Sequence, residues 1–538
     1  MSFCYLLVSS FLIVHNEIGL MILDFDRRVG GSRLLGDLCL AVFLLVSLGL
    51  LSADLHALTA ETQIDLSGTL QILVADDFAG HHVETIHYLE VPGTGQRFTL
   101  HFANALPSGL TSGTEARVQG RLLGLDIIVT NLDSTAVAPL RGHSGSTAVQ
   151  GTHTPLVIGS QQTLVMLLNF TNAAVACSVS SVSNAVFSLV QSSVNTVYLE
   201  TSFSNILWTG LVVGPYTIPY GYGACDPNGW ADAADAAATA AGIAPNSFAH
   251  KVYVLPNSGT CGWGGLATIG GNPSRAWISS CNLIFQFAHE MGHGLGMNHS
   301  STDPDNDNTI LPSEEYGDAS DFMSASYNLT RLNAPHLAQM AWLPADDSRL
   351  LVGSGTYQVA ALELGPANSP LPGLLFFPIP DSSDSYYVSY RQPVGLDANL
   401  YSAYTPGVSI HRWCCGGNTR LITILNDGGS FSDSASGFFL RQVSHNSSSA
   451  TVTVEILATT PPVPPTITAM TMTPKGTFSL SGTGAVGRAY SLLTATTLAL
   501  PIVLTPIATN TADANGGFTF SDPNAANFSR RFYRVQSQ

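Results

Sequence analysis

The sequence predicts a multidomain α+β protein: a mixed α/β central domain flanked by small all-β domains of barrel or sandwich type. Three observations carry that expectation. The 538 residues exceed one ordinary domain. Short segments that alternate apolar and polar residues dominate both ends of the chain. Helical patterning is confined to the middle, in an Ala-dominated run at 230–241 and an apolar-faced run at 285–295. The 11% of charged residues, with abundant Gly, Ala, Ser and Thr, fits a folded exported protein better than a disordered one. A net charge of -17, with Lys251 and Lys475 the only lysines, excludes a nucleic-acid partner, which needs a basic footprint.

Residues 1–57 read as a signal peptide or N-terminal apolar targeting segment. Arg27, Arg28 and Arg33 precede an apolar run at 38–51 of signal-core length. The expected location is therefore secreted, extracellular. A signal-anchored membrane form is the alternative, because Leu34 and Leu35 extend the run, although Asp37 keeps it below the ~20 residues of a crossing helix. The earlier apolar run, which contains His15 and Glu17, is accounted for if translation starts at Met21.

Residues 61–140 form the next predicted unit, an N-terminal β-domain with strands at 69–74 and 116–122. Its place between the targeting segment and the central domain suits an inhibitory prodomain or a structural module equally. It holds no cysteine. His81, His82, His87 and His101 show no ligand spacing and read as surface histidines. After a Gly/Ser/Thr-rich linker at 141–154 comes the mixed α/β domain, 155–345, with strands at 163–170 and 251–255. Strands return in the 346–458 region, including 386–390 and 450–456, and read as a β-sandwich that completes the catalytic unit. A Pro-rich linker at 459–465 leads to a C-terminal β-domain at 466–538, with strands near 490–493 and 531–535. Such a module suits cell-surface or cell-wall association.

Of eight cysteines, Cys4 and Cys39 fall in the targeting segment. The other six allow 15 pairings. Cys261 and Cys281 bracket a Gly-rich loop, and joining them would contribute ~3 kcal/mol. That pair is expected; the partners of Cys414 and Cys415 stay open.

The chemistry concentrates at 285–299, whose core reads His289-Glu290-Met291-Gly292-His293-Gly294-Leu295-Gly296-Met297-Asn298-His299. On a helix, His289 and His293 lie one turn apart on one face, while Leu283, Phe287, Met291 and Leu295 share the opposite face. Gly296 permits the left-handed turn that ends the helix and brings in His299. Three neutral imidazoles leave the fourth tetrahedral position of a Zn2+ ion for water, the arrangement of a catalytic site. Glu290 stands beside that position as general base.

This motif resembles the metzincin clan of zinc peptidases, whose long His-Glu-x-x-His-x-x-Gly-x-x-His motif is followed by a methionine turn. Met323 is the candidate for that turn. Its context in 315–323, the segment 332–343, Ser389-Tyr390-Arg391 and the run 407–412 look like the gametolysin family of metzincins. The resemblance covers about 163–456. It implies a secreted zinc-dependent endopeptidase acting on protein or peptide substrates, in a family that includes enzymes digesting algal glycoprotein walls. Many metzincins carry a Tyr two residues after the methionine, but here the first is Tyr327. The Gly-rich segment 263–267 is placed either as an edge strand for extended substrates or as a plain disulfide-closed loop.

A weaker signal follows His299. Asp303, Asp305, Asp307 and Glu314 have the spacing of a Ca2+ loop, with Asn308 in place of the usual Gly and Pro312 inside the loop. Two rival functions remain beside the peptidase: an inactive peptidase scaffold serving as a cell-surface binding or adhesion protein, and a zinc hydrolase with a non-peptide substrate.

Overall fold

The computed structural model describes residues 62–102, 109–134, 157–221, 223, 225–256, 261–380, 382–414, 416–457, 465–474, 476–497 and 504–537. The targeting segment 1–57, the linker 141–154 and all of 459–465 but Pro465 lie outside them. The architecture is mostly β and divided among several sheets, with a few short helices. No helix among the described residues is long and apolar enough to cross a membrane.

The first five strands are β1 (Thr62–Asp77), β2 (His82–Glu90), β3 (Arg97–Phe102), β4 (Glu115–Leu123) and β5 (Asp126–Ser134). They follow the order β2-β3-β5-β4-β1, and β1 also pairs with β2, so the sheet closes into a barrel of OB-type connectivity. The same sheet continues beyond β1. It runs on through β9 (Gly265–Thr268), β10 (Ser274–Ile278), β8 (His250–Val254), β6 (Gly159–Asn169) and β7 (Ile206–Thr217). β10, β8, β6 and β7 are mutually parallel, whereas β9 is antiparallel to both β10 and β1.

The two-residue period of β1 divides its side chains between two cores. Leu70, Ile72 and Val74 pack into the barrel with Leu89, Phe98 and Val118. Leu73 and Ala75 pack with Trp230, Tyr253, Leu266 and Trp277. Each large aliphatic side chain so buried stabilises the fold by ~1.5–3 kcal/mol.

Helices α1 (Val179–Phe187) and α2 (Val194–Thr201) begin with capping boxes at Ser178 and Ser193. Helix α3 (Pro227–Ala240) is capped by Asp226, with Pro227 in its first turn. Helix α4 (Ile284–Gly294) carries the histidine motif, and α5 (Ala334–Gln339) starts at Asn333, whose side chain accepts from His336 N. A six-stranded and a four-stranded sheet then pack face to face over Val359, Phe377, Tyr386, Val388, Ile410, Phe438 and Val452. Two three-stranded sheets over Leu480, Tyr490, Leu492 and Phe518 form the C-terminal part.

The expected Cys261–Cys281 pair is corrected. Cys177 bonds to Cys281 with Cα atoms 5.3 Å apart, and Cys225 bonds to Cys261 at 5.4 Å. Loop length favoured the local pair, but the β9–β10 hairpin lies between those two cysteines, and the fold brings each a partner from beyond it. Cys281 meets the segment before α1, and Cys261 the segment before α3. Cys414 is also disulfide-bonded.

Candidate metal centre

Helix α4 is buried on every side from Phe285 to Gly294, so its motif residues are set in the core. Phe287, Met291 and Leu295 pack into that core as their spacing predicts, whereas Leu283 sits ahead of the first turn and is 38% exposed. The helix ends at Gly296 with φ +100°, where Met297 N donates to Gly292 O and Gly296 N to His293 O, a Schellman ending. The chain then turns back and places His299 beside His293, their Nε2 atoms 3.2 Å apart.

Each imidazole is oriented through its Nδ1. His289 donates to Phe322 O at 3.0 Å, His293 to Met297 O at 2.8 Å and His299 to Glu315 Oε1 at 2.6 Å. All three Nε2 atoms therefore face one point. Met323 packs directly beneath: a Cβ at Gly292 would lie 2.6 Å from its sulfur. Asp321 fixes this turn by accepting from Met323 N at 2.7 Å, Asn333 N at 2.7 Å and His336 Nδ1 at 2.8 Å.

The fourth corner belongs to a residue that no motif marks. Asp76, at the end of β1, places Oδ2 3.5 Å from His289 Nε2 and 3.3 Å from His293 Nε2, and Oδ1 2.9 Å from His299 Nε2. Ligands 2.0–2.1 Å from a tetrahedral zinc stand about 3.3 Å from one another. The Oδ2 spacings of 3.5 and 3.3 Å and the 3.2 Å between His293 and His299 Nε2 match those edges, while Oδ1 is the oxygen that meets His299. Asp76 Oδ2, His289 Nε2 and both Glu290 oxygens are buried without a hydrogen-bond partner, which is what donor atoms awaiting a cation look like. The residues present therefore fit a zinc ion.

Burial opposes ionisation of Asp76, but the charge on His299 and the close approach of the three imidazoles outweigh it and hold the carboxyl well below its usual range. Burial also works against a charge on His299, yet Asp76 and Glu315 carry its pKa up to about 9. Glu290 responds the other way. Burial, and then the neighbouring Asp76, raise it well above the usual carboxylate value. Its carboxylate lies against β9, where a Cβ at Gly265 would collide with it.

Tyr316 also went unmarked in the sequence. Its hydroxyl donates to Asp76 Oδ1 at 2.6 Å, its ring lies 4.3 Å from that of His299, and its backbone is held at φ +59°, a strained value for a tyrosine. Tyr327 is 48% exposed, and its ring lies against Phe78 and Phe285.

The sandwich strands reach the centre from the other side. Thr419 N donates to His299 O at 2.9 Å, and Asn418 Nδ2 to Glu315 Oε1 at 2.9 Å, so residues 418–419 hold both the third histidine and its carboxylate partner. Asp318, in the segment before Met323, accepts from His411 Nε2 at 2.9 Å and Asn333 Nδ2 at 3.0 Å. Arg391 binds Asp397 at 2.6 Å, and Asp397 in turn accepts from Arg331 N at 2.6 Å.

Of the suggested calcium loop, carboxylates of Asp303, Asp305 and Asp307 lie within 4.8 Å of one another. Glu314 does not join them; its Oε2 caps Leu311 N at 2.8 Å. Asp303 spends its oxygens on the N–H groups of Asp307 and Asn308 within the same turn.

Compared with known protein families, residues 162–419 match the model described as gametolysin peptidase M11. The match begins in β6 and ends at Thr419, the residue that holds the His299 carbonyl. No curated protein matches the chain.

Proposed function

We propose, from the premise that residues 162–419 are a gametolysin-like metallopeptidase, that the chain is a secreted zinc-dependent endopeptidase with a metzincin-type catalytic core. It would act on extracellular or cell-wall proteins and glycoproteins. The observation that carries this reading is the convergence of His289, His293 and His299 Nε2 on one point, with Glu290 on the next residue of the same helix. A zinc ion bound there supplies Lewis acidity toward a water and toward the scissile carbonyl.

The chain's own residues do the rest. A cation's charge in the site would counter the burial and the Asp76 charge that raise its pKa, so that Glu290, lying against Gly265, takes the proton of the attacking water and returns it to the leaving amine. Tyr316 rather than Tyr327 is the hydroxyl aimed at the metal corner. Burial and Asp76 raise its pKa, so it stays protonated and donates to an oxygen that develops charge there. Met323 and Asp321 keep the floor of the site rigid. The pairing of β1 with β9 supports a latency role for residues 62–134, and the basic start and apolar run of residues 1–57 support an export signal.

The test is hydrolysis of casein or gelatin by the chain from about Ala57, with and without a zinc chelator, beside Glu290→Ala. Activity lost in both controls is the expected result. Activity that survives Glu290→Ala with metal bound would remove Glu290 from the mechanism.

A further inference from the structure

The geometry points to residues 73–78 as a built-in substrate mimic that holds the peptidase closed. The inference rests on the metallopeptidase reading above, and three separate contacts carry it.

The first is strand pairing. β9 has β10 on one side and β1 on the other, in antiparallel register from Leu73↔Thr268 to Asp76↔Gly265, and Gly264 N donates to Asp76 O at 2.8 Å. An extended peptide that binds by strand addition needs that same edge. The second is the carboxylate. His289, His293 and His299 take three corners of the tetrahedron and Asp76 takes the fourth, with Tyr316 donating to its Oδ1. A scissile carbonyl has to occupy this corner. Asp76 fills it with a side-chain carboxylate, so no peptide bond lies there to be broken.

The third is Phe78. It is 4% exposed, and its ring stands 5.3 Å from Phe285, 4.9 Å from His289 and 6.0 Å from Tyr327. This aromatic niche beside the metal corner is where a substrate side chain near the scissile bond would enter. The substrate class is therefore an extended peptide with a large apolar, preferably aromatic, side chain at that place. Opening the enzyme requires β1 to leave β9.

The test uses the full chain loaded with Co2+, whose visible absorption reports coordination, and acetohydroxamate as a small ligand for the open metal corner. Wild type, Asp76→Ala, the nearly isosteric Asp76→Asn and Phe78→Ala are compared for bound cobalt, spectrum and hydroxamate affinity. One cobalt per chain is expected throughout. If the open form is about one molecule in a hundred, wild type binds hydroxamate about a hundredfold more weakly than Asp76→Ala. The Asp76 variants also shift the spectrum, and Phe78→Ala falls between. Should Asp76→Ala fail to fold, Asp76→Asn carries the comparison.

Equal cobalt, equal spectra and equal hydroxamate affinity in wild type and both Asp76 variants would overturn the mimic and leave the zinc site standing. No cobalt in any of them would overturn both.

Discussion

Two β-structures meet at the histidine cluster from opposite sides, and they do opposite things. The sandwich builds the centre: Asn418 and Thr419 hold Glu315 and His299, and His411 holds Asp318 in the segment before Met323. The barrel shuts the centre, because β1 lies along β9 and puts Asp76 on the corner that a substrate needs. The contrast separates what makes the metal bind from what keeps the site closed. Substitutions on the sandwich side should weaken metal binding, whereas those on the barrel side should leave the metal in place and expose it.

The largest expected effect falls on neither side but on the helix between them. Glu290→Gln should lower turnover of the opened enzyme by about 10²–10⁴-fold, with zinc content unchanged in metal analysis. A drop in zinc content of the same order would make Glu290 a structural residue. Next, Tyr316→Phe should cost about 10²-fold in kcat with little change in KM, the signature of a donor that acts on developing charge. A change in hydroxamate access alone, with kcat intact, would confine Tyr316 to the barrel's latch.

On the sandwich side, Glu315→Gln leaves the His299 ring without its charged partner and should weaken zinc about 10–100-fold, read by competition with a chelator. A metal affinity equal to that of wild type would break the contrast with the barrel, since Glu315 would then build nothing.

A smaller effect concerns pH. Asp318 is buried, and although burial alone would raise its pKa, the contacts from His411, Ser320 and Asn333 hold it far below the usual value of 3.8. A depressed carboxyl contributes stability above its unfolded pKa and loses it as pH falls, so this contribution is present at neutral pH and fades below about pH 4. Thermal inactivation of Asp318→Asn should therefore lie below wild type at pH 7 and converge on it in acid; parallel curves would refute the linkage. His250 gives the smallest signal. Burial lowers its pKa from 6.5 to about 4, so the neutral ring contributes stability above pH 6.5 that declines toward pH 4. His250→Gln should flatten wild-type stability across that interval only.

The sequence discloses these regions unequally, and the reason is distance along the chain. His289, Glu290, His293, Gly296 and His299 are legible because a helix and its C-terminal turn bring them together within a few residues. Met323 becomes legible once the motif is recognised. Asp76 and Tyr316 carry no local pattern, since they reach the cluster only through sheet pairing and a strained turn.

One signal for Asp76 was present. β1 reads as a nearly unbroken apolar run, Ile72-Leu73-Val74-Ala75, that ends in Asp76. A strand buried on both faces reads that way, and a carboxylate at the end of one needs a partner. The disulfides failed for the same reason of distance: each cysteine of the expected local pair found its partner from across the fold. The alternating strands at both ends of the chain needed no such long-range knowledge, because period-2 burial is written residue by residue.

The ten-stranded sheet has a further consequence for the chain before it ever meets a substrate. An enzyme that grips peptides along a bare strand carries an edge that any other extended chain can also join, including a second unfolded copy of itself. With β1 laid along β9, that edge is covered in the closed protein, so the strand that withholds activity also acts as a guard against self-association.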